Sequence, residues 1–399
     1  MLSPAEADAE IAGHLAQFPE ELLPLHACAG RILRQAIHAE RDAPPFDRVA
    51  MDGIAIAMEA FRDGRRSFRV AGVQAAGQAP KSLHSPTDCI EVMTGASLPV
   101  GCDAVVPVER IDVVAGIASI EAAHVPDIWM HIHRRGTDAR AGDRLLAPGM
   151  RLGGPELAIA ASAGLPVLKV TSAPRIAVIS TGDELVEPGL PVRDHQVRRS
   201  NSYGLAAALQ AAGFPPASNL HVPDQRPLLV ERLAAAINSH DVIVLSGGVS
   251  AGRHDYVPAA LAENGVRCVF HQVSQRPGRP FWFGVNGRGV MVFALPGNPV
   301  SVLVCLARYV IPALLQAAGA GVLSRRTVVM AREFVFRAPL TCFLPVSLEY
   351  DSQGRTLAVP RPTRGSGDFI SLAGTDGFVE LGQGPATHPA GLVVAFYGW

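Results

Sequence analysis

Asp241-Val-Ile-Val-Leu-Ser246-Gly-Gly-Val-Ser250-Ala-Gly-Arg-His-Asp255-Tyr256 is the stretch on which the fold turns. Its first part is almost continuous apolar chain, the pattern of a strand buried on both faces. The second part switches to glycine and serine and closes on an acid. Glycine lets backbone N–H groups approach an anion with no side chain in the way. A helix predicted from about 255 to 263 would turn its free N–H groups to the same place. In open α/β sheets, ligands sit beyond the carboxyl ends of such strands.

Upstream, Arg175-Ile-Ala-Val-Ile-Ser180 repeats the buried-strand pattern, and helices are predicted at about 202–212 and 226–238. Downstream come strand-like runs Val266–Val273, Phe281–Val285 and Val290–Leu295, then a long helix from Pro299. Strands alternating with helices imply a doubly wound parallel sheet with helices on both faces. Farther out, 5–17 reads as an amphipathic helix, and Gly153-Gly154-Pro155-Glu156 opens an Ala-rich helix that Gly164 closes. Between them lie short β-rich runs (Phe68–Val73, Cys89–Met93, Ala104–Val108, Ile128–His133), which suggest a small β domain over about 41–140. After about 323 the helices stop. Thr327–Phe336, Phe343–Tyr350, Thr356–Val359, Gly377–Leu381 and Leu392–Tyr397 read as strands of a small barrel or sandwich.

A chain of 399 residues is long enough for two to four domains. Hydrophobic residues at 48% allow sizeable cores, and charged residues at 18% argue against long disordered stretches. Lys plus Arg number 35 against 36 Asp plus Glu, so there is no basic footprint for nucleic acid, and any anion site must be local. The cysteines at 28, 89, 102, 268, 305 and 342 form no CxxC pair, which argues against structural zinc and a disulfide framework. The start Met-Leu-Ser-Pro-Ala-Glu lacks a signal peptide's basic region and apolar stretch, so the expected compartment is the cytoplasm. The most apolar stretch, 301–323, contains Arg308 and Pro312 and reads as a buried helix, with no membrane span expected.

Three polar runs fall at strand ends: Ser180-Thr-Gly-Asp-Glu184-Leu, the Ser246–Tyr256 run, and Pro296-Gly-Asn-Pro299-Val-Ser301. One Gly-Gly turn would be an ordinary connection. Three in one sheet point to a phosphate site in which Ser246, Gly247, Gly248 and Ser250 supply donors. Glu184 and Asp255 could cap helices. They could equally hold Mg²⁺, which prefers oxygen ligands shared with substrate phosphates. Asp224 stands before a helix, with the same two readings. Gln275-Arg276-Pro-Gly-Arg279-Pro places two guanidinium groups in a stiff turn, suited to an oxyanion or to plain surface charge.

Together these motifs resemble the molybdopterin molybdenumtransferase family (molybdenum insertases), which includes the E domain of gephyrin. The likeness covers nearly the whole chain. It rests also on Pro45-Phe46-Asp47-Arg-Val-Ala-Met51-Asp52-Gly53, Met93-Thr94-Gly95-Ala96, Gly101-Cys-Asp-Ala-Val-Val-Pro-Val-Glu109 and Arg134-Arg135-Gly136-Thr-Asp138. The resemblance implies a multidomain α/β protein. A central helical, dimerising domain comes from 1–40 and 141–173, and a β domain is inserted at 41–140. A domain at 174–322 resembles molybdopterin adenylyltransferases, and a β barrel fills 323–399. It implies a homodimer whose cleft lies between the α/β and C-terminal domains of one subunit and the β domain of the other. The implied reaction takes adenylylated molybdopterin and molybdate, uses Mg²⁺, releases AMP and yields molybdenum cofactor.

By motif, Asp52, Thr94, Asp138, Glu184, Asp224 and Asp255 match the family's functional positions. Asp52, Glu184 and Asp255 stand as catalytic, with Glu184, Asp224 and Asp255 as metal ligands. Thr94, Asp138, Ser246, Gly247, Gly248, Ser250, Arg276, Arg279, Pro296, Pro299 and Ser366 stand as ligand-binding. Without the motifs, Asp52 would be a turn residue, Thr94 a strand-end cap, Asp138 the partner of an arginine in its own turn, and the prolines helix-start punctuation. The chain departs from the family pattern in places. Arg276 and Arg279 replace lysines, Arg48-Val49 replaces Asn-Ser, and the arginines usual near Pro339–Val346 are missing, with Arg361 and Arg364 as candidate substitutes. These departures keep two rivals alive, a molybdopterin adenylyltransferase and a non-catalytic cofactor-binding scaffold. Tungstate preference stays open. The adenylyltransferase and downstream molybdoenzymes are further possible partners.

Overall fold

The structure is a computed structural model and describes residues 1–249, 256–321, 326–384 and 386–399. Ser250 and Asp255 therefore lie outside the described residues.

The α/β sheet has six strands in the order Ser218–Val222, Ile176–Thr181, Val242–Ser246, Met291–Leu295, Trp282–Asn286, Val266–His271. Successive residues of its central strands feed two cores. Val178, Val242, Val244 and Phe293 pack to one side, against the Asn201–Ala211 and Pro299–Ala317 helices. Ala177, Ile179, Ile243 and Leu245 pack to the other, against Arg226–Ser239 and Val257–Glu263. Burial of each such Val, Leu or Ile is worth roughly 1.5–3 kcal/mol, which explains the unbroken apolar runs.

Some strand and helix expectations need correction. The sheet is not wholly parallel, because Trp282–Asn286 runs antiparallel to both of its neighbours, Met291–Leu295 and Val266–His271. Residues 287–290 are too few to carry the crossover that a parallel neighbour needs. The strand Ser218–Val222, polar and mostly exposed, escaped the apolar-run criterion. The first helix stops at Gly13 rather than at 17. Only Ile132–His133 of the run 128–133 is strand, since Trp129 and His131 adopt positive φ of 64° and 54°. The helix from Pro299 is interrupted by a π turn at Leu306–Val310. Pro312 has no N–H for the carbonyl of Arg308, and the ladder widens just ahead of it. This helix is long and apolar enough to cross a membrane, but 67% of its apolar window is buried inside the protein.

The two flanks of the inserted β segment pair with one another. Glu20–Pro24 runs antiparallel to Val167–Thr171, and Ile37–His38 pairs with Arg144–Leu146. Gly154–Ser162 is a helix, and Glu156 accepts the Gly153 N–H at 2.9 Å, so the Pro-Glu start works as expected. The inserted segment forms a six-stranded sheet with its own core around Ile54, Phe68 and Val106. The C-terminal strands Thr341–Tyr350, Thr356–Pro360, Arg326–Met330, Val393–Gly398 and Gly377–Leu381 close into a barrel. Thr327–Phe336 is two strands, Arg326–Met330 and Phe334–Val335.

Arg308, on the π turn, joins three parts of the chain. It donates to both carboxylate oxygens of Asp8 at 2.8 and 2.9 Å and to Glu380 of the barrel at 2.9 Å. It also packs over the rings of Tyr309 and Tyr397. The barrel is fastened a second time where Gln275–Arg276 adds to Thr341–Tyr350 as a parallel strand.

Candidate functional site

Two cavities meet at the carboxyl end of the α/β sheet. The first, about 570 Å³, collects the three polar strand ends foreseen in the sequence: Ser180, Thr181 and Glu184, then Ser246, Gly247 and Gly248, then Gly297, Asn298 and Pro299. Asp224 lines it too. Gly247 and Gly248 have φ of 103° and 69°. A Cβ on Gly247 would come within 2.8 Å of the Thr181 carbonyl oxygen, and one on Gly248 within 2.5 Å of Val257, so only glycine fits this cradle. The Asn201–Ala211 helix starts at the cavity with no side chain capping its N–H groups, an arrangement that suits an anion.

Neither described carboxylate is a helix cap. After Glu184 the chain runs into the strand Leu185–Val186, and the helix after Asp224 takes Gln225 as its cap position. The Asp224 N–H instead donates to Asp183 at 3.0 Å, which staples the two loops. The floor is polar. Ser180 and Thr181 are buried, and the hydroxyls of both, together with Asn201 Oδ1 and Arg199 Nε, find no hydrogen-bond partner among the described residues. Such groups are costly unless something satisfies them. Asn201 was not singled out in the sequence. Its Nδ2 donates to Ser246 Oγ at 2.8 Å and to the Gly297 carbonyl at 2.7 Å, tying two strand ends together. Arg199 is held by Glu187 at 2.5 Å. The Tyr203 hydroxyl, and then Arg199, hold the Glu187 carboxyl below its usual range.

The second cavity, about 680 Å³, lies between the α/β sheet and the barrel and shares Gly297 and Asn298 with the first. Arg276, Arg279, Pro296 and Ser366 line it. The arginine turn is fixed by buried Gln275, whose amide donates to the Pro277 and Gly278 carbonyls and whose carbonyl accepts from Tyr309. Asn298 donates to Ser366 Oγ at 2.8 Å, and Val300 N–H donates to the Ser366 carbonyl at 3.0 Å, so the barrel loop is held over the strand end. The wall at Leu340, Phe343, Leu344 and Pro345 is apolar. Cys342 on that wall is pushed up to about 12 by burial, so it is a thiol and no nucleophile at neutral pH. Arg361 and Arg364 are not among the residues that line the cavity. Arg361 bonds Ser347 at 3.1 Å.

Asp52, Thr94 and Asp138 line neither cavity of their own chain. The pairing of Gly53 with Val92 brings Asp52 beside Thr94. Asp52 accepts the Thr94 N–H at 2.6 Å and its hydroxyl at 2.8 Å. These two bonds, the backbone one foremost, lower the Asp52 carboxyl below its usual range. Asp138 does not pair with the arginines of its turn. Arg134 stacks on Trp129 at 4.4 Å and Arg135 bonds Asp42 at 2.7 Å. The partner of Asp138 is His133, at 2.8 Å.

Comparison with known proteins agrees with this geometry. Residues 2–164 match the MoeA N-terminal region (domain I and II), 177–316 a probable molybdopterin binding domain, and 327–399 the MoeA C-terminal region (domain IV). A molybdopterin molybdenumtransferase of Synechocystis is 39% identical, over 100% of both chains. Molybdopterin molybdenumtransferase 2 of Mycobacterium tuberculosis is 35% identical, over 74% of this chain and 75% of its own. A solved molybdopterin biosynthesis MoeA protein from Pyrococcus horikosii superposes with a TM-score of 0.81 at 31% identity, over the whole of both chains. With the match running unbroken from the first helix through the two cavities to the barrel, the chain belongs to the MoeA family of molybdopterin molybdenumtransferases.

Proposed function

We propose that this enzyme of molybdenum cofactor biosynthesis inserts molybdate into adenylylated molybdopterin and releases AMP with the help of Mg²⁺. The observation that carries the reading is the junction of two unlike cavities at Gly297 and Asn298. One offers a glycine cradle, a helix N-terminus and two carboxylates, as a phosphoric anhydride with a divalent cation requires. The other offers two guanidinium groups, which suit an oxyanion such as molybdate.

Glu184 and Asp224, with the hydroxyls of Ser180 and Thr181, form a hard oxygen set that fits Mg²⁺. Asp255 joins them on sequence grounds. Among the described residues no three His, Cys, Asp or Glu side chains gather into a cage, and Mg²⁺ ordinarily takes one or two carboxylates plus substrate oxygens. When bound, the ion would offset charge on the leaving phosphate. The chain's own groups bind and orient. The Gly247–Gly248 backbone receives phosphate, Pro296 and Pro299 set the shared wall, and Arg276, Arg279 and Ser366 hold the oxyanion at the second cavity.

Asp52, Thr94 and Asp138 would reach this cleft from a second copy of the chain. The proposal therefore includes a cytoplasmic homodimer, with the division 1–40 with 141–173, 41–140, 174–322 and 323–399. The inserted sheet and the barrel each have their own core, and Cys28, Leu33 and Ile37 share one with Leu146, Leu152 and Leu168, which supports that division, while Ala7, Ile11, Phe18 and Ile32 pack into the α/β core beside it. The test is AMP release from adenylylated molybdopterin. Glu184→Ala should lower the Mg²⁺-dependent rate roughly hundredfold while precursor binding persists. Wild-type turnover by that variant would remove Glu184 from the reaction.

A further inference from the structure

Arg48, which stands where the family pattern has asparagine, lies opposite His133 in the short antiparallel pair formed by Arg48–Val49 and Ile132–His133. Arg48 Nη2 is 2.9 Å from His133 Nδ1, and His133 Nε2 is 2.8 Å from Asp138 Oδ1. A guanidinium has only donors. His133 Nδ1 must therefore accept, and the ring's proton sits on Nε2 and is donated to Asp138. The turn backbone is pinned independently, through Asp138 N–H to the Ala43 carbonyl at 2.9 Å and Gly136 N–H to the Pro44 carbonyl at 3.0 Å. With Arg134 and Arg135 engaged elsewhere, the imidazole is what fixes the direction of the Asp138 side chain.

We infer that His133, held in one tautomer by Arg48, is a positioning residue that aims the Asp138 carboxylate. The inference rests on the proposed role of Asp138 in substrate binding. One Asp138 oxygen accepts from the ring, and the other stays available to a ligand. Glutamine at 133 could reproduce the relay, because its amide oxygen accepts from Arg48 and its NH₂ donates to Asp138. Leucine could not.

The experiment compares Asp138→Ala, His133→Leu and His133→Gln in the full-length protein, reading KM and kcat for AMP release and the thermal midpoint. Histidine ¹⁵N NMR of the wild type reads the tautomer. The expected result is a KM raised roughly tenfold in His133→Leu at unchanged melting temperature. KM should return to within about twofold in His133→Gln, and Nδ1 should be unprotonated in the wild type. An impaired Asp138→Ala beside a normal His133→Leu would overturn the relay and leave the role of Asp138 standing. Equal impairment of the leucine and glutamine variants, or a proton on Nδ1, would also overturn it. A normal Asp138→Ala would refute the role of Asp138 itself, and the relay with it.

Discussion

Asp52 and Thr94 are 42 residues apart in the chain, yet the carboxylate takes both the N–H and the hydroxyl of the threonine. The folded-state value of Asp52 is lowered. Its contribution to stability is therefore present above the ordinary carboxylate range and is lost as pH falls through the lowered value. Urea unfolding of wild type and Asp52→Asn should differ at neutral pH and converge at acid pH, and a difference that widens as pH falls would contradict the contact. The residue types of the site were legible because glycine, carboxylate and guanidinium chemistry is local to a motif, as at Gly247, Glu184 and Arg276. The partners were not. Asn201 carries no motif, and it matters only because folding brings Ser246 and Gly297 within reach of its amide. The pairing of Asp138 with His133 could not be separated from an arginine pairing until Trp129 and Asp42 were seen to occupy the two arginines.

The central strands could be read from the sequence because burial on both faces leaves an unmistakable apolar run, as in Val242–Ser246. The edges could not. Ser218–Val222 is mostly exposed, and the direction of Trp282–Asn286 depends on the length of a loop rather than on composition. The helix from Pro299 shows the same division. Its apolar character announced burial, but the π turn and the placing of Arg308 against Asp8 and Glu380 come from the packing of three parts. Arg308 is only 3% exposed. Replacing it by leucine would take the guanidinium away from two half-buried carboxylates, and should cost about 1.5–3 kcal/mol in denaturant unfolding. Removing Glu380 together with Arg308 should restore part of that loss. A loss below about 1 kcal/mol would show that the ion pairs do not fasten the barrel.

At the scale of the molecule, one chain assembles two cavities and leaves Asp52, Thr94 and Asp138 on a separate surface. A shared cleft in a homodimer predicts complementation. Asp138→Ala and Glu184→Ala chains, each inactive alone, should on random mixing recover roughly a quarter of wild-type activity, since half the dimers would carry one intact site of two. No recovery from properly mixed dimers would mean that each chain acts alone. The four-part organisation was suggested by changes in texture along the sequence, whereas the meeting of the cavities at Asn298 and Ser366 belongs to the docked barrel. The most direct test is AMP release by the purified wild-type protein from adenylylated molybdopterin, with molybdate and Mg²⁺ supplied together, singly or not at all, and tungstate added in competition. The account predicts rapid AMP release only when both are present, with molybdenum retained on the dithiolene product. Equal release without molybdate, tight precursor binding with no release, or ATP-dependent adenylylation of molybdopterin in its place would contradict it.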